Sequence, residues 1–241
     1  MKHLWIAVYF LLMPIIAVGG QGERELRSGA PDLQDQASLQ NGLKLYVNYC
    51  LGCHTLSYQR FSRTANDLDI PQALMEEAVM FSSAADFNDP MHNALRAEEA
   101  AQWWGVAPPD LSLTVRLRGA DWVNAYLLGF YQDSSRPNGV NNTLFDSVAM
   151  PNVLEPLQGV QVLDCSKAEQ QGCDRLKVIT PGVMAPDEFE SAVYDITNFL
   201  AYVSEPYRLK AQAVAPKIMI FLFIFSVIVY FLKREYWKDV Y

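Results

Sequence analysis

The sequence predicts a mainly α-helical chain with long loops and one C-terminal transmembrane helix. Two stretches, around residues 39–50 and 189–203, place apolar side chains at the spacing of a single helix face. A third stretch, residues 218–232, is an unbroken apolar run of the kind that crosses a bilayer. We find no long alternation of apolar and polar residues, which is the pattern of β-strands. The chain is therefore expected to form one helical domain tied to a membrane.

The composition narrows the class of protein. The chain has 241 residues, of which 51% are hydrophobic and 19% charged, so it is not a wholly disordered protein. Its net charge of −8 argues against binding nucleic acid, because phosphate contacts need Lys and Arg. Three histidines are too few for a multi-histidine metal site, and four cysteines are too few for a disulfide scaffold.

The first residues, 1–19, predict a secretory signal peptide that is cleaved. Lys2 supplies the positive start, an apolar run follows, and Ala17 and Gly19 are small residues suited to a cleavage site. A retained N-terminal anchor is the alternative. Residues 20–210 then form an extracytoplasmic domain that begins with a polar, extended segment.

The last residues predict a membrane anchor at 211–232 and a cytoplasmic tail at 233–241. Lys217 lies just before the apolar run and can extend its ammonium group to the membrane surface. The tail is basic and aromatic, which marks the cytoplasmic side of a span: Lys233, Arg234, Tyr236, Trp237 and Lys238. A helix buried in a protein core is the alternative, but it does not need such a flank.

Charge is unevenly divided between these parts. Residues 20–216 contain 14 Lys and Arg against 25 Asp and Glu. An acidic domain of this kind attracts a basic partner at long range. The alternative is that these carboxylates are ordinary solvated surface.

The chemistry is concentrated in Cys50-Leu51-Gly52-Cys53-His54, the attachment motif of c-type haem. Two thiols form thioether bonds to the vinyl groups, and the histidine that follows supplies the proximal iron ligand. A redox Cys-x-x-Cys pair would not need the histidine, and a zinc site would need more Cys or His nearby. One such motif predicts one covalently bound haem c.

Two helices frame this motif. The spacing of Leu39, Leu43, Tyr46 and Cys50 predicts a helix that leads into it, although Gly42 weakens its start. A second helix is predicted from Pro186 to Glu205-Pro206, with Phe189, Val193, Ile196, Leu200 and Val203 on one face. An opening and a closing helix of this kind indicate a class I cytochrome c-like haem domain, here with long loop insertions.

The sixth ligand of the iron does not follow from spacing. His92 lies in a turn-like stretch and is expected to be a surface or supporting residue. Methionine is the common alternative, and Met150 and Met184 are the two candidates in the second half of the domain. Composition and spacing do not choose between them, and either could simply fill the core.

Several segments besides the haem motif, in a fixed order over about residues 38–236, resemble the cytochrome c1 family, the haem subunits of cytochrome bc1 complexes. These segments are 55–61, 108–112, 116–122, 145–151 and 198–206. The C-terminal anchor is similar too. The resemblance is to the bacterial type, which implies a single-pass protein of the bacterial inner membrane with its haem domain in the periplasm.

The resemblance implies roles for particular residues. Met150 would be the axial ligand, with Met184 as the second candidate. Arg118 would bind a haem propionate, which a guanidinium can do through two charge-assisted hydrogen bonds. Pro109 and Tyr58 would line the haem pocket.

The resemblance also implies the partners. The haem would take an electron from the Rieske iron–sulfur protein and pass it to a soluble cytochrome c. The anchor would pack against cytochrome b within a dimeric complex. The chain alone is then an electron carrier, and it belongs to an enzyme only as a subunit of quinol–cytochrome c reductase.

Two alternatives stay open: a free-standing anchored cytochrome that serves an oxidase or reductase, and an enzyme or gas sensor with an open sixth site.

Cys165 and Cys173 do not belong to a second haem motif. In an oxidising compartment they are expected to form a disulfide. Free thiols are the alternative for this pair.

Overall fold

The computed structural model of the chain describes residues 29–81, 85–164 and 175–238. Within these ranges the fold is mainly helical, as predicted. The predicted signal peptide, residues 1–19, and the predicted disulfide between Cys165 and Cys173 lie outside the described residues.

Helix α1 spans Gln36–Tyr49 and has the predicted buried face. Its start is capped by Asp35, whose side chain accepts a hydrogen bond from the Ser38 N–H at 3.0 Å. All four predicted positions are buried: Leu39, Leu43, Tyr46 and Cys50. Burial of one continuous face stabilises a helix this short, so the prediction of this helix is confirmed.

Short elements follow α1 and surround the haem motif. The helices are α2 (Phe61–Asp67), α3 (Gln72–Ala78), α4 (Ala97–Trp104), α5 (Thr114–Arg118), α6 (Ala120–Leu128) and α7 (Glu155–Gln158). Strand β1 (Leu56–Arg60) pairs antiparallel with β2 (Pro90–Met91), and β3 (Phe130–Gln132) pairs antiparallel with β4 (Val140–Asn142).

A longer strand pair was not predicted. Strand β5 (Gly159–Asp164) pairs antiparallel with β6 (Arg175–Pro181). The side chain of Gln161 joins this pair to β3, because its amide donates to the Phe130 carbonyl oxygen at 2.9 Å. The sequence alternates only briefly in each strand, and the first strand buries the polar Gln161 rather than its valines, so the alternation does not mark an apolar face.

Helix α8 spans Pro186–Ser204 and closes the domain, as predicted. The Glu188 side chain accepts a hydrogen bond from the Ala185 N–H at 3.0 Å, which caps the first turn. The predicted face is buried throughout: Phe189, Val193, Ile196, Leu200 and Val203. The helix ends before Glu205-Pro206, where the predicted pattern also ends.

Helices α1 and α8 cross at Gly42. A Cβ atom at this position would lie 2.0 Å from the Asp195 carbonyl oxygen and 2.7 Å from Phe199 Cβ. Only glycine therefore allows the two backbones to approach this closely. The ring of Tyr46 packs against that of Phe199 next to the crossing, with centroids 5.7 Å apart. Gly42 costs some helix stability, but it lies inside α1 because the packing requires it.

Helix α9 spans Arg208–Tyr236 and contains the predicted anchor, residues 211–232. It is long and apolar enough to cross a membrane, and its apolar stretch is not buried against the rest of the described chain. Twenty-nine residues make a helix of about 43 Å, longer than the hydrocarbon core of about 30 Å.

Ionic and aromatic contacts join α9 to the domain, at a site we call the membrane joint (Arg63, Arg116, Glu205, Tyr207 and Arg208). The Glu205 carboxylate lies 3.5 Å from Arg116 and 3.9 Å from Arg208. The Arg63 guanidinium lies 4.0 Å above the ring of Tyr207. Each such exposed contact contributes only about 0–1 kcal/mol, but together they connect α2, α5 and the ends of α8 and α9.

Candidate haem-binding site

The haem motif follows α1 directly and is fixed by hydrogen bonds to its backbone. The Tyr46 hydroxyl donates to the His54 carbonyl oxygen at 2.6 Å, and burial raises the pKa of Tyr46 so that it stays a donor. The Asn93 amide donates to the Leu51 carbonyl oxygen at 2.9 Å. The His54 N–H donates to the Cys50 carbonyl oxygen at 2.8 Å, which turns the chain back towards α1.

The two cysteines of the motif are free thiols. Cys50 is buried, and burial together with the nearby Cys53 raises its pKa to about 12. Cys53 is partly exposed. Two reduced thiols at the end of one helix are the groups that form thioether bonds to the vinyl groups of haem c.

His54 is oriented by the chain that lies opposite. Its Nδ1 lies 2.7 Å from the Pro109 carbonyl oxygen. A carbonyl can only accept, so Nδ1 carries the proton and Nε2 keeps a free lone pair for a metal. Burial lowers the pKa of His54, against smaller opposing effects of the Pro109 hydrogen bond and of Asp110, so the ring is neutral at pH 7.

Two segments run side by side around this hydrogen bond, and we call them the histidine clasp (residues 54–58 and 109–112). The Leu111 N–H donates to the Thr55 carbonyl oxygen at 3.0 Å. The Tyr58 N–H donates to Ser112 Oγ at 3.2 Å. Pro109 thus lies beside His54, whereas the Tyr58 side chain is 75% exposed. That both residues line the haem pocket stays a prediction.

Met150 lies in a loop that other side chains hold in place. Its sulfur accepts a hydrogen bond from the Tyr126 hydroxyl at 3.5 Å. It is partly buried and packs against a small cluster formed by Phe130, Val140 and Val148. The Asn138 amide donates to the carbonyl oxygen of the preceding residue, Ala149, at 2.6 Å. These contacts hold the thioether in one place beside the hydroxyl of Tyr126.

Met184 has different surroundings. Its N–H donates to the Leu157 carbonyl oxygen at 3.1 Å, and its side chain packs against the main core. It also lines a polar groove beside Asn41 and Asp195, where α1 and α8 cross. His92, the remaining histidine of the domain, is exposed.

An aromatic row connects Arg118 to Met150. The Arg118 guanidinium lies 5.1 Å from the centroid of the Trp122 ring, and Trp122 stacks on Tyr126 at 5.1 Å. Tyr126 in turn binds the Met150 sulfur. Arg118 is exposed and has no ion pair within the described residues, so its charge is open to a carboxylate. The nearby Leu117 is 79% exposed, which leaves apolar surface beside that charge.

These residues fit a haem c. Two free thiols, a histidine with an open Nε2 and a positioned thioether are its covalent and axial partners. Sequence reasoning missed the supporting residues Tyr46, Asn93 and Asp110, because their partners lie in other segments. Tyr126 could have been found, since Trp122 and Tyr126 lie four residues apart on one face of α6.

Comparison with known proteins agrees with this site. A profile of the Cytochrome C1 family matches residues 27–174 and 184–240. Cytochrome c1 of Allochromatium vinosum is 41% identical over 244 residues, which cover 100% of both chains. The ammonia monooxygenase gamma subunit of Nitrosomonas europaea is 39% identical over 99% of this chain and 98% of its own. Cytochrome b/c1 of Bradyrhizobium diazoefficiens is 27% identical over 85% of this chain and 34% of its own.

The family match covers the haem motif, the histidine clasp and the Met150 loop in one continuous range. The second range covers α8 and the anchor helix α9. The cofactor that the family implies is haem c, which the residues of the site fit. The chain is a haem c electron-transfer subunit, and it belongs to the cytochrome c1 family.

Proposed function

We propose that the chain holds one haem c through thioether bonds to Cys50 and Cys53, with His54 and Met150 as axial ligands. The hydrogen bond of 2.7 Å between His54 Nδ1 and the Pro109 carbonyl oxygen carries the proposal, because it leaves Nε2 free to bind iron. When bound, haem c supplies a one-electron couple at its iron. The residues of the chain fix the ligands and set the environment of that couple.

The surroundings of the two methionines support Met150 over Met184. The Met150 sulfur lies in an apolar cluster with a hydroxyl donor aimed at it. Met184 lies beside a groove lined by the carboxyl groups of Asp187, Glu188 and Asp195. Both methionines are partly buried, so the apolar cluster and the hydroxyl donor favour Met150 as the ligand.

Arg118, Pro109 and Tyr58 complete the proposed site. The open guanidinium of Arg118 binds a propionate, and its position over Trp122 keeps it aligned. Pro109 orients His54 through its carbonyl group. Tyr58 lies on the edge of the clasp with its ring exposed, where it can cover the outer face of the site.

The electron route follows from the family and from charge. The proposed donor is the Rieske iron–sulfur protein, and the proposed acceptor is a soluble, basic cytochrome c. The acidic surplus of residues 20–216 supports an acceptor of positive charge. A relative named cytochrome b/c1 supports cytochrome b as the partner of the anchor. That the complex is dimeric is proposed from the family alone.

The charges that flank the anchor support a haem domain outside the cytoplasm. Helix α9 ends in Lys233 and Arg234, and such charges remain on the cytoplasmic side of a span. The proposed location is the inner membrane of a bacterium, crossed once, with the haem domain in the periplasm.

A different complex is the second candidate. The relative named ammonia monooxygenase gamma subunit is almost as similar as the cytochrome c1, so identity alone does not assign the complex. A free-standing shuttle is less well supported, because the membrane joint ties the domain to α9.

Separation of native complexes tests these assignments. Membranes are solubilised in mild detergent and separated by size, and the spectra of haem c and haem b are followed across the fractions. Co-migration of this chain with haem b in one quinol-oxidising peak is the expected result. Migration in a peak without haem b that oxidises ammonia would favour the second candidate. Haem c that runs alone and small would overturn both.

A further inference from the structure

Asp110 is the most heavily bonded side chain of the histidine clasp. Its Oδ2 accepts hydrogen bonds from Thr55 Oγ1 at 2.7 Å, from the Ser57 N–H at 2.8 Å and from Ser57 Oγ at 2.8 Å. Its Oδ1 accepts from the Ser112 N–H at 2.9 Å. One carboxylate thus binds four donors, three of them from the segment that follows His54.

Asp110 lies between the two residues of its segment that form hydrogen bonds to His54 and Thr55. Pro109, before it, accepts from His54 Nδ1, and Leu111, after it, donates to the Thr55 carbonyl oxygen. The carboxylate therefore fixes both ends of the critical hydrogen bond: the segment that carries the imidazole and the segment that carries the carbonyl group. Neither segment lies in a regular helix at this point, so side-chain hydrogen bonds have to hold the two segments together.

We propose that Asp110 is a positioning residue for the proximal ligand, which holds the His54 Nδ1–H against the Pro109 carbonyl group through the histidine clasp. Asp110 touches neither the imidazole nor the iron in this role. The proposal rests on the proposed function, because a proximal ligand exists only if His54 binds the haem iron. It goes beyond that function, because it assigns the control of ligand geometry to a residue outside the haem motif.

Two consequences follow from the geometry. Without the carboxylate, the clasp opens more often and the Nδ1–H exchanges faster with water. Losing this charge-assisted acceptor should raise the equilibrium constant for opening of the clasp about tenfold. The carboxylate also places negative charge near the imidazole, which favours ferric iron, so its removal raises the reduction potential.

The test compares Asp110→Asn with Asp86→Asn in the full-length, haem-loaded protein in detergent. The control also loses an exposed carboxylate that caps a local turn, where Asp86 accepts from the Asn88 N–H at 2.8 Å. The chain has only three histidines, so histidine labelled with ¹⁵N gives few ring signals in the reduced protein. Exchange of the His54 Nδ1–H and the reduction potential are measured for each variant.

We expect Asp110→Asn to speed exchange about tenfold and to raise the potential, while Asp86→Asn changes neither. Equal values for Asp110→Asn and the parent protein would overturn the proposal, as would equal shifts in both variants. If Asp110→Asn yields no haem-loaded protein, Ser57→Ala decides, since it keeps the charge and removes one donor. Faster exchange in Ser57→Ala would support the proposal, and unchanged exchange would overturn it.

The proposed function and the positioning role of Asp110 would fail in different ways. If the parent protein has no haem c spectrum, or if His54 is not bound to its iron, the proposed function fails before any variant is made. If the parent protein is as proposed and the variants behave like it, only the positioning role of Asp110 fails.

Discussion

Replacing Gly42 by alanine puts a methyl group at the point where α1 and α8 are closest. The new Cβ would lie 2.0 Å from the Asp195 carbonyl oxygen, whereas real Cβ contacts stay above 3.0 Å. The helices must separate by about 1 Å, which forfeits up to about half of the dispersion attraction across the contact. The obstacle is backbone, so no side-chain rotation relieves it.

The expected cost follows from two opposing effects. Overpacking of a core costs about 1–3 kcal/mol, and a rigid obstacle places Gly42→Ala at the upper end of that range. Alanine regains about 1 kcal/mol, because it is a better helix former than glycine. The net loss is then about 2 kcal/mol, or about 4–8 °C in the midpoint of thermal unfolding.

Thermal and urea unfolding of the detergent-solubilised protein measure this loss, with the haem absorbance as the signal. Lys44→Ala is the matched control, because Lys44 lies in the same helix with its side chain exposed. We expect the control to change stability by less than about 0.5 kcal/mol. A Gly42→Ala protein as stable as the parent, or more stable, would refute the close crossing of the two helices.

Three further outcomes are expected. Met150→Leu should abolish the methionine–iron charge-transfer band and lower the reduction potential, whereas Met184→Leu should change neither; the reverse result would reassign the ligand. Tyr126→Phe keeps the stacking on Trp122 but removes the hydroxyl that lies 3.5 Å from the Met150 sulfur. Since that hydrogen bond withdraws electron density from the sulfur, its loss should lower the potential while the band remains; an unchanged potential in a redox titration would mean that the hydroxyl does not act on the ligand. Burial favours protonation of Asp110, but hydrogen bonds from Ser112, Thr55 and Ser57 outweigh it and lower the pKa to about 2 from 3.8. A carboxyl group whose pKa is lowered by folding stabilises the fold above about pH 4, and this stabilisation is lost as the pH falls towards 2. The stability of Asp110→Asn, measured from unfolding curves, should therefore depend less on pH in this window than that of the parent protein. Equal dependence would contradict the assignment.

The opening and closing helices could be predicted because their information is local. A buried stripe at helical spacing marks each of them, and Pro186 and Glu205-Pro206 mark the limits of α8. The haem motif is equally local, since five adjacent residues carry it. What these patterns leave out is the partner of each face.

The supporting residues of the site depend on contacts between distant segments. Asp110 meets Thr55 and Ser57 across more than fifty positions of the chain, and no spacing rule connects them. Gly42 looked like a weak point of α1, since its reason lies in the backbone of α8. The strand pair of β5 and β6 was missed because neither strand has a fully buried face.

The membrane joint limits where electrons can be exchanged. Only three residues separate the end of α8 from the start of α9, and they span at most about 10 Å. With Arg63 on Tyr207 and Glu205 between two arginines, the domain has little freedom to swing away from the bilayer. In the proposed arrangement, with α9 across the membrane, this short connection keeps the haem site close to the lipid surface, so the proposed electron donor and acceptor have to come to it.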